Sequence, residues 1–503
     1  MFTKKTNLPI FAAILIVIIA FFLRLNNLTS VIGDIPPGLY PDEAMNGNNA
    51  LEALSTNNFK IFYPENNGRE GLFINIQALS VSVLGNKPWA LRLPSAIFGV
   101  LTVMGLYFLV KKLFDSNKYA SSIALLSSFF LATSFWHINF SRIGFRAIMA
   151  PFFLVWGLYF LLNAAAKARK NKESKTYFWH LSILGGIVFG LGFYSYIAYR
   201  ITPALILVIL IILGRHFYKQ NLAKLFWRFV FYAGIAFLFT VLPLCIYFAQ
   251  NPADFMGRTS QISIFNSPAP VRDFGMNIIK TSGMFNFSGD TNWRHNYSGK
   301  PELFWPVGIL FLIGLFIAVK SLFKKSKISE ISLVLLAWIV FTALPVVVSN
   351  EGVPHALRAI IMIPPVFILA GIGGMEAYSY FKKHFRNKHI YNQICVLFLI
   401  LCFCEGYISY FSLWAEDPNT PGAFSRNYVE IGEDINALPK EMPKYVVVEA
   451  GGALVRGIPM PSQTVMFITD SFTPEKQKEK NIYYLLPNQV QNIPKGSSVF
   501  YIK

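Results

Sequence analysis

The chain has 503 residues, of which 54% are hydrophobic, 16% aromatic and only 14% charged. Soluble domains usually contain about 25% charged residues, so this composition excludes an ordinary soluble protein and indicates a polytopic membrane protein. The formal net charge of +19 would suit a nucleic-acid-binding protein. However, the Lys and Arg residues concentrate in short loops between apolar runs, as the positive-inside rule predicts, which argues against a nucleic-acid partner.

Eleven apolar runs predict helices that cross a bilayer core about 30 Å thick. In chain order they occupy residues 8–25, 89–110, 117–137, 148–166, 178–198, 201–214, 226–249, 303–320, 331–348, 358–380 and 391–413. No small-residue cleavage site follows the first run, which predicts an uncleaved first span and not a signal peptide.

Basic clusters alternate with these runs, at residues 4–5, 111–118, 167–175, 215–228, 320–327 and 382–388. With about eleven spans and a cytoplasmic N-terminus, every cluster falls on the cytoplasmic side. We therefore expect an integral, multi-pass protein of the plasma (cytoplasmic) membrane. Two long segments, residues 26–88 and 250–302, then face the extracytoplasmic side.

After residue 413 the apolar runs stop. Residues 415–503 predict a small extracytoplasmic α/β domain beside the membrane domain of residues 1–413. One helical face there carries Tyr428, Ile431, Ile435 and Leu438. Four short β-type runs follow, separated by Pro, Gly and Asn turns. They are KYVVVEAG, QTVMFITD, NIYYLLP and SSVFYIK.

The stretch PPGLYPDEAMNGNNALEAL, which follows the first run, contains two adjacent acids, Asp42 and Glu43. Pro41 followed by two acids is typical of a helix start. Such a helix could lie along the membrane surface on an apolar face made of Ala44, Met45, Leu51 and Leu54. The same carboxylates could also supply a catalytic base if burial or a neighbouring acid raises the pKa. On this stretch alone, the helix start is the favoured interpretation.

Basic residues recur in other segments predicted to be extracytoplasmic. SRIGFRAIMAP has Arg142 and Arg146 one helical turn apart, and GFYSYIAYRITP contains Arg200. GVPHALRAI has His355 and Arg358 on one face of a helix that the preceding proline would start. Taken singly, Arg146 and Arg200 are more typical of interfacial anchors that reach the lipid headgroups.

Two loops supply the remaining candidates for a binding site. They are Arg69 and Glu70 in the first loop, and Asp290, Trp293, Arg294, His295 and Tyr297 in FSGDTNWRHNYSGKPELFW. Arg side chains and helix N-termini bind phosphate, and aromatic rings suit sugars or an isoprenoid chain. We therefore expect an outer-face site with a carboxylate base, a cationic phosphate cradle and aromatic surfaces. Two acids on this face could also hold a divalent metal ion, although no His or Cys spacing requires one.

Several motifs occur in the order and topology of a known family. They are PDEAMNGNNALEAL, REGLFINIQALSVSVLG, ALRLPSAIFGVLTV, SRIGFRAIMAP, GDTNWRHNYSGKPEL and GVPHALRAIIMIPP. Through them, residues 1 to about 413 resemble the GT-C glycosyltransferases, specifically the family 39 type that includes protein O-mannosyltransferases and aminoarabinose transferases. The resemblance implies transfer of a sugar, with inversion, from a polyprenyl-phosphate donor to a protein, lipid or glycan acceptor outside the cytoplasm.

The resemblance also implies roles for individual residues. The first-loop Asp of that family is the catalytic base, which corresponds to Asp42, and Glu43 is the second member of the acidic pair. Basic residues of the later outer loops hold the lipid phosphate, and they correspond to Arg142, Arg294, His295, His355 and Arg358. The candidates for substrate binding are Arg69, Glu70, Asp290, Trp293 and Tyr297.

A transporter or flippase of lipid-linked saccharides is the alternative function. Transporters more often concentrate polar groups at mid-membrane, in broken helices. Here the polar groups cluster at the predicted outer edge and in long outer loops. A non-catalytic scaffold that presents residues 415–503 would not need acids and bases in several separate loops. The sequence therefore favours an enzyme.

Overall fold

A computed structural model describes residues 8–29, 34–170, 178–324, 326–384 and 387–503. Basic-cluster residues at positions 4, 5, 172, 175, 325 and 386 lie outside the described residues. The α-helices are α1 (Leu8–Leu25), α2 (Pro41–Thr56), α3 (Gly71–Leu84), α4 (Pro88–Leu113), α5 (Ala120–Thr133), α6 (Phe135–Phe140), α7 (Met149–Lys170), α8 (Phe178–Leu191), α9 (Thr202–Lys219), α10 (Ala223–Gln250), α11 (Pro252–Gln261), α12 (Pro270–Gly283), α13 (Trp305–Leu322), α14 (Lys327–Val347), α15 (Ile363–His384), α16 (Lys388–Ile408), α17 (Asn419–Ala423), α18 (Arg426–Ala437), α19 (Ser462–Ile468) and α20 (Pro474–Lys480). The strands are β1 (Phe62–Tyr63), β2 (Arg69–Glu70), β3 (Lys444–Val448), β4 (Leu454–Val455), β5 (Ile458–Pro459), β6 (Ile482–Leu485) and β7 (Ser498–Ile502).

Nine helices in the described part of the chain are long and apolar enough to cross a membrane. They correspond to nine of the eleven predicted runs, and the other two runs form the shorter apolar helices Ala120–Thr133 and Phe178–Tyr194. A helix satisfies its own backbone hydrogen bonds, which a chain in lipid must do. The predicted polytopic helical fold is confirmed.

The basic ends of several spans lie together. Lys112, Arg169, His216 and Lys327 line one cavity of about 220 Å³. The Lys327 Nζ atom lies 2.8 Å from Asp115 Oδ1, which ties the start of α14 to the turn after α4. Helices α4, α7 and α9 therefore end, and α14 begins, at the same end of the bundle. The opposite end carries α2 and α3 and is called the α2 end below.

Helix α2 begins at Pro41, as the sequence predicted, and ten of its sixteen residues are buried. Protein covers its apolar face. Met45 packs in the core of the C-terminal region, and Ala44 and Ala50 share a cluster with α3, α4 and Phe467 of α19. The expectation that this face lies along the membrane surface is therefore wrong, because the C-terminal chain folds back over it.

The C-terminal region is built on a parallel sheet of three strands in the order β6-β3-β7. Helix α18 forms as predicted and buries Ile435. The run QTVMFITD does not form the predicted strand, because its first six residues belong to α19. Val465 and Met466 of α19 pack against the sheet. Phe467, on another side of the same helix, packs against α2. A β-type sequence here becomes helical because tertiary packing on two sides outweighs local preference.

Candidate active site

A cavity of about 190 Å³ lies at the α2 end. Five parts of the chain line it: the first loop with α2, the segment around residue 146, residues 196–197, Ile262, and the turn that precedes α15. Its polar wall residues are Asp42, Asn46, Asn66, Asn67, Arg69, Arg146, Tyr196, His355 and Arg358. The wall thus combines one carboxylate with three guanidinium groups. A carboxylate can accept a proton, and guanidinium groups can bind an anionic substrate.

Asp42 lies in the first turn of α2 and is half-buried. Its Oδ1 atom accepts a hydrogen bond from Asn66 Nδ2 at 2.7 Å. The free N–H groups of the first helical turn also favour a negative charge at this position. Asn46 lies one turn later on the same face of α2 and lines the same cavity. The helix start therefore fixes where the carboxylate points.

Arg69 supplies a buried positive charge to the cavity wall. Two amide oxygens hold its guanidinium group: Nη1 donates to Asn46 Oδ1 at 2.7 Å, and Nη2 donates to Asn49 Oδ1 at 2.5 Å. Burial, followed by repulsion from nearby Arg146, lowers the pKa of Arg69 to about 10. The group therefore stays protonated at neutral pH. Because neutral amides hold it, its charge is available to attract an anion.

Glu70 organises the second guanidinium of the wall. Its carboxylate is buried and contacts Arg146 Nε at 2.9 Å and Arg200 Nη2 at 3.6 Å. The interpretation of Arg146 and Arg200 as separate lipid-facing anchors is therefore wrong for this structure, since both pair with one internal acid. Arg146 also lines the cavity, whereas Glu70 is not among its lining residues.

Arg142 does not share a helix with Arg146, contrary to the expectation of adjacent turns. The segment between them is irregular, and Arg146 begins a short 3-10 helix. Arg142 is fully buried, donates from Nη2 to the Ile35 carbonyl at 2.8 Å, and lies 4.9 Å from the Phe411 ring centroid. It does not line the cavity.

Glu43 has an environment unlike that of Asp42. It is fully buried, and its two oxygens each lie 2.9 Å from an Arg92 nitrogen. The Gly144 amide donates to the same carboxylate at 2.6 Å, and the Tyr40 amide donates at 3.4 Å, as in a helix capping box. Glu43 is not among the cavity residues. Its contacts join α2 to α4 and to the segment before α7.

The loop of residues 284–304 contributes no residue to the cavity wall, but it contacts the residues and segments around the cavity. The Arg294 guanidinium lies 4.0 Å from the centroid of the Tyr40 ring. Burial, followed by the charge of Asp42, raises the pKa of Tyr40 to about 12. The Trp293 carbonyl accepts from Trp414 Nε1 at 2.9 Å, and the Tyr297 hydroxyl donates to an Asp417 carboxylate oxygen at 3.4 Å. These contacts attach the loop to the segment after α16.

Asp290 connects this loop to the turn before α15. Its Oδ2 atom lies 3.0 Å from His295 Nδ1 and 3.8 Å from His355 Nδ1. The same oxygen accepts from the Ala356 amide at 2.9 Å. His355 also lines the cavity, so the cluster of Asp290, His295 and His355 borders the cavity directly.

Arg358 supplies the third guanidinium of the wall. The expected helix starting at Pro354 is absent, because residues 355–359 form a turn before the 3-10 helix Ile360–Met362. His355 and Arg358 nevertheless line the same cavity. Arg358 is buried, and its Nη1 donates to the Glu351 carbonyl at 2.7 Å.

The sequence interpretation did not select Asn46 and Asn66 for the cavity or Arg92 as the partner of Glu43. Asn46 could have been found, because it follows Asp42 by four residues on a predicted helix. Asn66 carries no such periodic signal. Arg92 meets Glu43 only through packing between α2 and α4.

Residues 72–247 match the family described as dolichyl-phosphate-mannose-protein mannosyltransferase. Among solved structures, the chain is similar to the Archaeoglobus fulgidus oligosaccharyltransferase AglB in complex with an inhibitory peptide and a dolichol-phosphate. That match has 13% identity and a TM-score of 0.56 and covers 97% of this chain and 70% of AglB. ArnT from Cupriavidus metallidurans, bound to undecaprenyl phosphate, matches with 13% identity and a TM-score of 0.53, covering 93% of this chain and 85% of ArnT.

The chain therefore has a GT-C fold, and the family match covers residues 72–247 of the chain. The resemblance predicted from the short motifs is thereby confirmed, as is a helical membrane domain with a small C-terminal sheet. The chain spans 64% of the archaeal oligosaccharyltransferase crystallised with a tethered acceptor peptide, a match with 12% identity and a TM-score of 0.54. None of the curated protein sequences matches the chain.

Proposed function

We propose that this GT-C fold protein transfers a sugar from a polyprenyl-phosphate donor to an acceptor on the extracytoplasmic side, with inversion at the anomeric carbon. The observation that carries the proposal is the cavity at the α2 end, where Asp42 shares a wall with Arg69, Arg146 and Arg358. ArnT and AglB, which have similar folds, were solved with undecaprenyl phosphate and dolichol-phosphate respectively. Their ligands support a lipid phosphate as the donor's leaving group here.

Asp42 acts as the general base in this proposal. Its Oδ1 is oriented by Asn66, and we assign the other carboxylate oxygen to the acceptor. The acceptor atom loses its proton to Asp42 and forms a bond to the anomeric carbon as the bond from that carbon to the phosphate oxygen breaks. The electron pair of the broken bond leaves with the polyprenyl phosphate. A single displacement of this kind inverts the anomeric centre.

The three guanidinium groups stabilise the leaving phosphate. Charge builds up on its oxygens as the bond breaks, and preorganised cations lower the energy of that transition state. Arg69 and Arg146 are held before substrate binds, by amide oxygens and by Glu70 respectively. Little reorganisation is then needed during the reaction. Glu43, saturated by Arg92 and Gly144, acts as a positioning residue for α2.

The deciding experiment compares cells that lack the chain with cells that regain it as wild type or as Asp42→Asn. Mass spectrometry of lipid-linked sugars should show one sugar accumulating on polyprenyl phosphate without the chain. The wild type should clear it, whereas Asp42→Asn should not, despite equal amounts in the membrane. Asp434→Asn, a change at an exposed position of α18, is the matched control and should clear it. Clearance by Asp42→Asn would exclude Asp42 as the base.

The same experiment separates the enzyme from a flippase of lipid-linked saccharides. Loss of an enzyme leaves the donor outside the cytoplasm, where an added impermeant glycosidase or lectin can reach it. Loss of a flippase leaves the sugar facing the cytoplasm and protected from the same reagent. A protected sugar in cells that lack the chain would therefore contradict the transferase.

A further inference from the structure

Asp290, His295 and His355 bring three side chains that can bind metal to one point beside the cavity. One donor atom from each lies within 4.8 Å of the others. Asp290 Oδ2 lies 3.0 Å from His295 Nδ1 and 3.8 Å from His355 Nδ1. Tetrahedral zinc, with bonds of about 2.0–2.2 Å, holds its ligand atoms about 3.3–3.5 Å apart. The described positions therefore need only small side-chain movements to surround one ion.

The surroundings keep these donors in place. The side chains of Asp290 and His295 are 5% and 7% exposed, and that of His355 is 15% exposed. The Ala356 amide donates to Asp290 Oδ2 at 2.9 Å, and the Asn292 amide donates to Oδ1 at 2.8 Å. Hydrogen bonds of this kind to a ligating carboxylate orient it and tune its affinity for metal. The Asp290 carboxylate is therefore fixed between the two imidazoles.

The imidazoles also face each other. Their ring centroids are 4.8 Å apart with an angle of 30° between the ring planes. The Arg358 amide approaches His355 Nδ1 at 3.4 Å, which is longer than the usual N–H hydrogen bond of about 2.9–3.0 Å.

We infer that Asp290, His295 and His355 form a binding site for a divalent transition-metal ion. The chemistry of these three ligands identifies the ion as zinc. Two imidazoles and one carboxylate are a ligand set that suits zinc better than Mg²⁺ or Ca²⁺, which prefer oxygen. Three protein ligands leave a fourth position for water or substrate. Since His355 also lines the cavity, the ion would lie in the cavity wall near Arg358.

The binding test uses the full chain, purified in detergent through a tag without histidines and stripped with EDTA. It is then incubated with zinc, desalted and analysed for metal by mass spectrometry. We expect about one zinc per chain, held against a competing chelator and bound more tightly than Mn²⁺. His295→Ala and His355→Ala should weaken binding more than about 100-fold, beyond the 10- to 100-fold loss typical of changes to outer-shell partners. Wild type that retains no more zinc than these variants would overturn the site.

His216→Ala is the matched control, because His216 Nε2 contacts a Glu330 oxygen at 2.7 Å at the opposite end of the bundle. It removes an imidazole from another His–carboxylate pair and should leave zinc binding unchanged. Asp290→Asn provides a test if the histidine variants do not fold. The side-chain oxygen of the new asparagine can still accept the hydrogen bond from the Ala356 amide, so the loops should keep their structure. Each variant's fold is checked by size exclusion and thermal unfolding. Zinc binding by folded Asp290→Asn as tight as that of wild type would refute the inference.

The ion's role rests on the proposed function, but its binding does not. A cation in this wall would add positive charge for the donor phosphate beside Arg358. Zinc content is measured without sugar transfer, so the two ideas fail separately. A chain that binds zinc and transfers no sugar contradicts the transferase alone. A stripped, zinc-free chain that transfers sugar at the full rate contradicts the ion's role.

Discussion

Asp42 and Glu43 are neighbours in the first turn of α2, yet their carboxylates have opposite surroundings. Successive helical residues point about 100° apart, so one side chain turns toward the cavity and the other toward the interior. Glu43 meets Arg92 in a fully buried pair, whereas Asp42 stays half-buried beside Asn66. The two oxygens of Glu43 already accept hydrogen bonds from Arg92 and Gly144, and Glu43 does not line the cavity where an acceptor could bind. The geometry therefore favours Asp42 as the base.

Glu43→Gln should strongly lower the free energy of unfolding. In the molecules that remain folded, Asp42 should keep its contacts. The change leaves the Arg92 charge buried without its counter-ion, and breaking a buried pair in this way typically costs about 3–5 kcal/mol. Thermal unfolding of the purified protein in nanodiscs measures the effect. Glu430→Gln is the control, because Glu430 forms an exposed pair with Arg426 worth at most about 0.5 kcal/mol. Equal unfolding temperatures for the two variants would contradict the positioning role.

Arg146→Ala should raise the donor KM more than Arg200→Ala does. Both residues contact Glu70, but Arg146 lines the cavity and Arg200 does not. A hydrogen bond to a charged group contributes about 1.5–3 kcal/mol, which corresponds to roughly 10- to 150-fold in KM. Steady-state kinetics with the sugar donor identified in cells provide the measurement. Equal increases in KM for the two variants would show that the loss of an ion pair with Glu70 causes the increase, and not the loss of a guanidinium group from the cavity wall.

At the scale of elements, α2 is held between the membrane bundle and the C-terminal region. Asn48 is fully buried and donates to both the main-chain and the side-chain oxygen of Gln463 in α19. A Cβ atom on Gly47 would lie 2.4 Å from the Phe467 ring, so only glycine allows α19 to approach this closely. The helix that carries Asp42 therefore depends on a segment more than 400 residues later in the chain.

Phe467→Ala should loosen α2 and reduce sugar transfer, although Phe467 does not line the cavity. Truncating a buried Phe typically costs about 3–5 kcal/mol, and the void would open against Gly47. Hydrogen exchange of the α2 amides and kcat are the two measurements. Ile482→Ala is the matched control, because Ile482 is buried in β6 within the C-terminal core. It should destabilise the C-terminal core with little added exchange in α2. Similar exchange in both variants would argue against a specific α2–α19 contact.

On the scale of the whole molecule, the clustering of charges predicts the orientation in the membrane. The basic ends of α4, α7, α9 and α14 meet around one cavity, and the cavity with Asp42 lies at the α2 end. The positive-inside rule then predicts that the α2 end faces away from the cytoplasm. That orientation is required by the proposed donor and acceptor.

Cysteine labelling tests this orientation directly. Thr291→Cys and Lys324→Cys, each in a chain without its four native cysteines, place one exposed thiol in the 284–304 loop and one in a basic cluster. An impermeant maleimide should label Thr291→Cys in intact cells and Lys324→Cys only after permeabilisation. The reverse pattern would invert the topology and with it the extracytoplasmic site.

The sequence by itself determined the features that depend on local chemistry. Apolar length predicted the spans, because a bilayer requires about 20 apolar residues per helix. Pro41 and the acids after it predicted the start of α2. The motifs around Asp42, Arg358 and the loop of residues 284–304 indicated the GT-C fold.

Only the tertiary structure decided how these parts meet. Packing paired Glu43 with Arg92 across 49 positions and brought Asp290 to His355. It also turned QTVMFITD into a helix that covers α2. Such contacts depend on which faces of distant helices come together, and no local periodicity encodes that. Local chemistry therefore fixed the membrane spans and the start of α2, and long-range packing decided the fold of QTVMFITD and gave each carboxylate its own environment.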